Sequence, residues 1–174
     1  MYQLKKFWRV RGVRLALKLA LQLALVVLVY FAVKTYMQRN LVEGPAPVVE
    51  GNLLNGNSVS LQSYRGQPVL VHFWATWCPV CKLEQNSIDA ISKDHTVLTI
   101  AMNSGDETAV KSYLHDNNLT FPVIVDQYSN IAKQFGVQGV PTSFVIDSQG
   151  NITFTEMGYT TGWGLRLRLW LAGD

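Results

Sequence analysis

Between Leu19 and Val33 no residue is charged: fifteen consecutive positions, most of them Leu, Val or Ala. Extending the run back to Leu15 gives nineteen positions and takes in Lys18 and Gln22. Nineteen helical residues rise about 28 Å, close to the ~30 Å hydrocarbon core of a bilayer. Lys18 stands near one end, where its long stem lets the ammonium reach the headgroups. Six basic residues (Lys5, Lys6, Arg9, Arg11, Arg14, Lys18) precede the run or stand at its start, and only Lys34 and Arg39 closely follow it. The positive-inside rule then predicts a basic cytoplasmic segment over 1–14, a single transmembrane anchor over 15–36, and everything later outside the cytoplasm. A cleaved signal peptide is the rival. Against it, no good small-x-small site follows the run, because the Val42/Gly44 pair is followed by Pro45, and no cysteine lies nearby to accept a lipid. A buried core helix leaves the charge imbalance unexplained. The reading is an uncleaved anchor in the inner (cytoplasmic) membrane, with the remaining domain periplasmic.

The same split explains the charge. The formal net charge of +3 hides eight basic and no acidic groups in residues 1–40, against seven basic and twelve acidic in 41–174. The exported part therefore carries −5, with no Lys/Arg cluster of the kind a nucleic-acid surface needs. A hydrophobic share of 48% excludes intrinsic disorder, and part of that share is the span itself.

Residues 37–47 hold two prolines and a glycine with little periodicity and read as a linker, leaving 48–174 as one domain. Val48–Val49 and Val59–Leu61 flank the turn-rich Asn55-Gly56-Asn57 like a hairpin. Pro68–Trp74 and Val97–Met102 are short apolar, β-branched runs of buried-strand type. Between them Cys78–Ser92 has helical spacing, with Leu83, Ile88 and Ile91 on its apolar side. A helix over Glu107–Asn117 follows the cap-like Ser104-Gly105-Asp106. Then come a strand Phe121–Val125, a short helix Tyr128–Phe135, a strand Thr142–Ile146, a turn, and a strand Ile152–Glu156. The tail Trp163–Ala172 is ambiguous: Leu165, Leu167, Leu169 and Leu171 alternate like a strand, yet Trp163, Leu167, Trp170 and Leu171 share one helical face. The order predicts an α/β domain, a central mixed sheet with helices on both faces.

Both cysteines lie in Trp77-Cys78-Pro79-Val80-Cys81, directly after a predicted strand and opening a predicted helix. Unpaired N–H groups and the dipole at a helix start stabilise an anion, so a thiolate there has a lowered pKa. Cys78 is expected at that first, more exposed position and acts as the attacking thiol. Pro79 suits the first helical turn. Cys81, one turn on, resolves the mixed disulfide. A purely structural disulfide closing so small a loop restricts the unfolded chain little. Zinc usually takes four ligands, and His72, His95 and His115 have no matching spacing. A c-type haem site needs His after Cys81, where Lys82 stands. Copper(I) on the two thiolates is the chemical rival, and a peroxidase lacks its separate cysteine.

The segment Val71-His72-Phe73-Trp74-Ala75-Thr76-Trp77-Cys78-Pro79-Val80-Cys81-Lys82, with Gly139-Val140-Pro141-Thr142 some sixty residues later, resembles the thioredoxin superfamily. More narrowly it is similar to the membrane-anchored TlpA/ResA group. Ala101–Asp106, Phe121-Pro122-Val123 and Gly162–Trp170 are similar to its ScsD-like branch of protein disulfide oxidoreductases. The resemblance runs from about residue 48 to the C-terminus. It implies a thioredoxin-like fold, a helical tail, and a cis Val140–Pro141 bond facing the dithiol. It also implies that the Val140 backbone pairs with an extended substrate and that the proline ring keeps metal off the thiols. Glu84 matches a glutamate that tunes the thiols in ResA-like members; the plainer reading is a solvated helix glutamate. His72 stands where cytoplasmic thioredoxins have a buried Asp, and is either a proton shuttle for Cys81 or a hydrogen-bonded core histidine. Trp74 and Trp77 are packing and surface lining. The implied activity is disulfide exchange with exported cysteine-containing proteins, reducing or isomerising rather than oxidising. It needs no cofactor beyond the cysteine pair, and a DsbD-type membrane electron donor recharges it. A copper-handling protein is the alternative, although copper-delivery relatives of the fold use CxxxC and a distal His.

Overall fold

The computed structural model describes residues 2–173. Met1, Asp174 and the side chains of residues 2–14, Lys34 and Met37 lie outside the described residues, and with them most of the basic flank on which the topology expectation rests. The chain divides into two units, Met1–Arg39 and Asn40–Asp174. The first is a single helix, α1 (Tyr2–Gln38). Its stretch Leu15–Val33 is long and apolar enough to cross a membrane, and none of it is buried. A helix of a soluble domain hides one stripe; the Leu15–Val33 stretch, uncharged from Leu19 on, hides none.

The second unit runs β1 (Gly44–Pro45), β2 (Glu50–Asn52), β3 (Ser58–Ser60), a 3-10 turn (Leu61–Tyr64), β4 (Val69–Trp74), α2 (Pro79–Ile91), β5 (Thr96–Met102), α3 (Glu107–Asp116), β6 (Val123–Asp126), α4 (Asn130–Gln134), β7 (Thr142–Ile146), β8 (Asn151–Met157) and α5 (Gly162–Ala172). The main sheet has the order β1-β8-β7-β4-β5-β6, and β2 pairs with β3 apart from it. Strands β4, β5 and β6 are parallel, whereas β7 runs antiparallel to β4, and β8 to β7. The sheet is mixed, as the strand order predicts.

Every residue of β4 is buried, because a central strand is covered on both faces, and all but His72 are apolar. One face of the sheet carries Leu70, Trp74, Ile88, Ile91, Leu165 and Leu169. The other carries Val71, Phe73, Leu98, Ile100, Phe135 and Phe144. Asp106 caps α3 by accepting the Ala109 N–H at 2.9 Å.

Three expectations need correction, and the tail is helical as the resemblance implies. The hairpin is β2–β3, with Glu50 opposite Ser60, so its first strand begins just after the Val48–Val49 pair. The tail is a helix whose buried side is Leu165, Leu169 and Ala172. The Trp163, Leu167, Trp170 and Leu171 face exists but points outward. On α2, Leu83 is 71% exposed while Glu84 is 1% exposed, the reverse of the apolar-side expectation. Finally, part of the expected linker belongs to the domain: Leu41 is buried, the Val42 N–H donates to the Phe135 carbonyl at 3.2 Å, and Gly44–Pro45 pairs with β8.

The close passage of Asn40 and Leu41 over the turn that follows α4 depends on Gly136. It has φ +69°, and a Cβ there would overlap the Asn40 carbonyl. Gly136→Ala is expected to destabilise the domain by about 2 kcal/mol, from left-handed strain plus backbone displacement. Urea unfolding of the two proteins reads this directly, and an unchanged midpoint contradicts it.

Candidate active site

Strand β4 ends at Trp74, and a short turn delivers Cys78 to the N-cap of α2. Pro79 occupies the first turn, where a missing N–H is harmless. The Cys78 Sγ accepts the Cys81 N–H at 3.1 Å, so the sulfur sits on one of the helix's unpaired amides. Cys78 and Cys81 form a disulfide with Cα atoms 5.3 Å apart. Both are shielded, 3% and 2% exposed, so the expected contrast in exposure is absent; what separates them is the cap position of Cys78.

Because β7 is antiparallel to β4, with Phe73 opposite Thr142, the loop before β7 and the cysteine turn lie at the same end of the sheet. Val140–Pro141 is cis, and the Val140 carbonyl oxygen stands 3.6 Å from Cys78 Sγ. The exposed Trp77 donates its Nε1–H to the Asn103 carbonyl at 2.9 Å. The Thr76 N–H donates to Ser104 Oγ at 3.1 Å, and that hydroxyl donates to the Met102 carbonyl at 3.0 Å. Trp77 thus ties the cysteine turn to the β5–α3 loop. Asn103 and Ser104, in a segment quoted above without a role, are the other half of that tie.

Behind the disulfide lies a second set of groups. Pairing places Glu156 (β8), Ser143 (β7), His72 (β4) and Thr99 (β5) side by side across the sheet. Leu70 and Trp74, two residues either side of His72, pack on the face that also holds Ile88 of α2. His72, 2% exposed, therefore points toward the cysteine helix. Its Nδ1 is 2.9 Å from Ser143 Oγ, and its Nε2 is 3.7 Å from Glu84 Oε1. Glu84 Oε2 accepts the Thr160 N–H at 3.0 Å, while Oε1 is buried and makes no hydrogen bond. Cys78, Cys81 and Glu84 follow one another at i, i+3 and i+6, which carries the acid inward on the stripe of the cysteines. The solvated-glutamate reading is thereby corrected.

Burial lowers the His72 pKa to about 3. It raises that of Glu84 to about 7, with the Thr160 N–H pulling the other way. Between about pH 3 and pH 7 both side chains are uncharged, so their contact there is not an ion pair. The two shifts affect stability with opposite sign. Between about 3 and the usual 6.5 the unfolded chain binds the His72 proton and the folded one does not, so stability falls as pH falls. Between the usual 4.5 and about 7 the folded chain holds the Glu84 proton more tightly, so stability falls as pH rises. In the overlap the two slopes oppose. Glu84→Gln is expected to expose the His72 slope alone: its urea midpoint should fall steadily from pH 6.5 to 4.5, where the parent's stays flatter. Parallel pH profiles for the two proteins count against this account.

Residues 41–162 match the model of the Redoxin family. The chain belongs to that family. A thioredoxin-like protein of Haemophilus influenzae is 31% identical over 158 residues, covering 90% of this chain and 94% of the relative. The thiol-disulfide oxidoreductase ResA of Bacillus anthracis is 36% identical over 137 residues, covering 76% and 77%. Among solved structures, the thiol:disulfide interchange protein of the thioredoxin family from Chlorobium tepidum superposes with a TM-score of 0.66 at 29% identity, over 75% of this chain and 97% of that one. The fold is thus thioredoxin-like, and this Redoxin-family chain is a protein disulfide oxidoreductase. The two electrons it exchanges are carried by the Cys78–Cys81 pair itself, gained when the disulfide opens to the dithiol and given up when it closes.

Ser143 and Thr160, the partners of His72 and Glu84, carried no signal of their own in the sequence. Only the antiparallel register and the approach of the β8–α5 loop place them.

Proposed function

We propose that this chain is anchored in the inner membrane by α1, with its dithiol on the extracytoplasmic side, and that it reduces or isomerises disulfides in exported cysteine-containing proteins. The observation that carries the reading is Cys78 Sγ at the N-cap of α2, accepting the Cys81 amide. In the reduced protein that position favours a thiolate. The Cys78 thiolate attacks a substrate disulfide, forming a mixed disulfide and expelling one substrate thiolate. The Cys81 thiolate then attacks Cys78 Sγ, expelling the second. Two electrons pass to the substrate, whose two thiolates take up two protons, and the Cys78–Cys81 bond closes. A dithiol donor in the membrane, of the DsbD type, returns the electrons. The Val140 backbone, beside Cys78, receives the substrate's extended chain. Pro141 and Trp77 shape that end of the sheet, and Glu84 tunes the thiols from behind. The apolar stretch Leu15–Val33 and the basic excess before it support the anchored topology.

The test uses the full chain in membranes equilibrated with defined glutathione buffers, followed by thiol-specific gel shift. Reversible two-electron interconversion is expected, with a midpoint on the reducing side of the ~−180 mV of protein disulfide isomerase. A midpoint near ~−120 mV reverses the proposed direction. A disulfide that never interchanges defeats the exchange reading. A membrane-impermeant thiol reagent should label the reduced pair in intact spheroplasts; labelling only after lysis defeats the topology.

A further inference from the structure

A row of polar side chains crosses a sheet face that is otherwise apolar, and its centre is His72. Glu84 Oε2 accepts the Thr160 N–H, which satisfies either charge state of the acid. Oε1 differs. It is buried, makes no hydrogen bond, and faces His72 Nε2 at 3.7 Å, a few tenths of an ångström beyond hydrogen-bond length. As a carboxylate oxygen it would leave a charge without a donor; as an acid O–H it faces an imidazole nitrogen. Oε1 itself has no hydrogen bond to lose in approaching Nε2, while Oε2 stays on the Thr160 amide.

We propose that His72 is a positioning residue: its Nδ1–H donates to Ser143 Oγ, and its bare Nε2 accepts the Glu84 proton, keeping Glu84 a neutral acid behind the dithiol. The consequence rests on the exchange function proposed above. A carboxylate beside the cysteines would oppose thiolate formation, and a neutral acid does not. The lowered His72 pKa and the raised Glu84 pKa agree with an imidazole that accepts and never carries the proton itself. His72 is thereby a fixed acceptor and not a shuttle for Cys81. The groups that spacing and register bring to the pair are Cys81, one turn before Glu84 on α2, Ser143 of β7, Thr99 of β5, and the Thr160 amide. Glu156 of β8 completes the row, ion-paired with Arg168 of α5.

The experiment reads the full chain in detergent micelles by two independent routes. Nitrogen-15 spectra of the unaltered protein should show His72 neutral from pH 4 to 8, with hydrogen on Nδ1 and none on Nε2. A proton on Nε2, or imidazolium forming near pH 6, overturns the proposal. In the second route carbon-13-labelled glutamate follows Glu84 in the parent and in His72→Leu. Leucine is as dry as the neutral imidazole but accepts nothing, so the Glu84 midpoint should fall by about one pH unit. A midpoint that rises means that His72 donates, and one that stays means that the contact is idle; either overturns the proposal. With His72→Leu, alkylation of reduced Cys78 at pH 6.5 should slow by about threefold, following the smaller thiolate fraction. On a Glu84→Gln background the same substitution should leave alkylation unchanged, because the effect passes through the acid. If His72→Leu does not fold, the spectra of the parent protein still decide. Absence of any disulfide exchange by the parent defeats the functional reading alone, since the tautomer and the Glu84 midpoint are read without turnover.

Discussion

A Cys81→Ser chain is expected to accumulate mixed disulfides through Cys78, while a Cys78→Ser chain accumulates none. The asymmetry follows from position. Cys78 holds the N-cap of α2, where its sulfur already takes an amide hydrogen bond that a thiolate would strengthen. Cys81 lies one turn inside the helix, its Cα 5.3 Å away, poised to attack Cys78 Sγ and nothing further out. Intramolecular attack at that range enjoys a large effective concentration, so removing it should slow release of the trapped partner by at least ~10³-fold. Non-reducing gels of whole membranes, followed by mass spectrometry of the adducts, provide the measurement and name the substrates. Adducts on Cys81 in the Cys78→Ser chain reverse the assignment of the two thiols, and none in either chain defeats the exchange reading.

The second large effect lies on the opposite face of the sheet. Phe73, Phe135 and Phe144 are fully buried, with ring centroids 5.0–5.8 Å apart. Phe73→Ala should cost about 3–5 kcal/mol, because the two remaining rings are held on separate elements and collapse only partly into the space. Against a usual total of ~5–15 kcal/mol, that removes a large share of the domain's stability. Urea titration monitored by near-ultraviolet circular dichroism measures the loss, and a cost below ~1 kcal/mol would show that the cluster is not the packing centre described here. The midpoint of the Cys78–Cys81 couple in the folded protein should stay where it was, since Phe73 points away from α2.

How far the chain could be read in advance differs from element to element for physical reasons. Strand β4 was legible because burial on both faces forces a continuous apolar run, and α2 because the cysteine turn fixes its start. The inward side of α2 was not. Hydrophobic spacing ranks Leu83 inside and Glu84 outside, but the helix is phased by Cys78 and Cys81, and that phase carries the acid in. The tail defeated periodicity for another reason: Leu165 and Leu169 are buried while Leu167 and Leu171 are exposed, so one residue type occupies both sides. A two-residue strand such as β1 has no period at all, and its Gly and Pro read as linker. Cys78 and Cys81 were found by adjacency in sequence. The Ser143–His72–Glu84–Thr160 chain joins four separated segments, and nothing short of register shows it.

The pairing of Gly44–Pro45 with Asn151–Ile152 bears on how copies of this domain behave beside one another. Without it β8 would present bare main-chain amides and carbonyls to its neighbours, a template on which a second copy could add a strand. The covering piece is short and contains Pro45, which has no N–H to offer onward. Across the sheet, Leu53 bridges to Ile124 and the Leu54 N–H donates to the Val123 carbonyl, so β6 is blunted as well. Each margin of the sheet is thus covered at one end, Asn151–Ile152 of β8 and Val123–Ile124 of β6, by residues from the first turns of the domain.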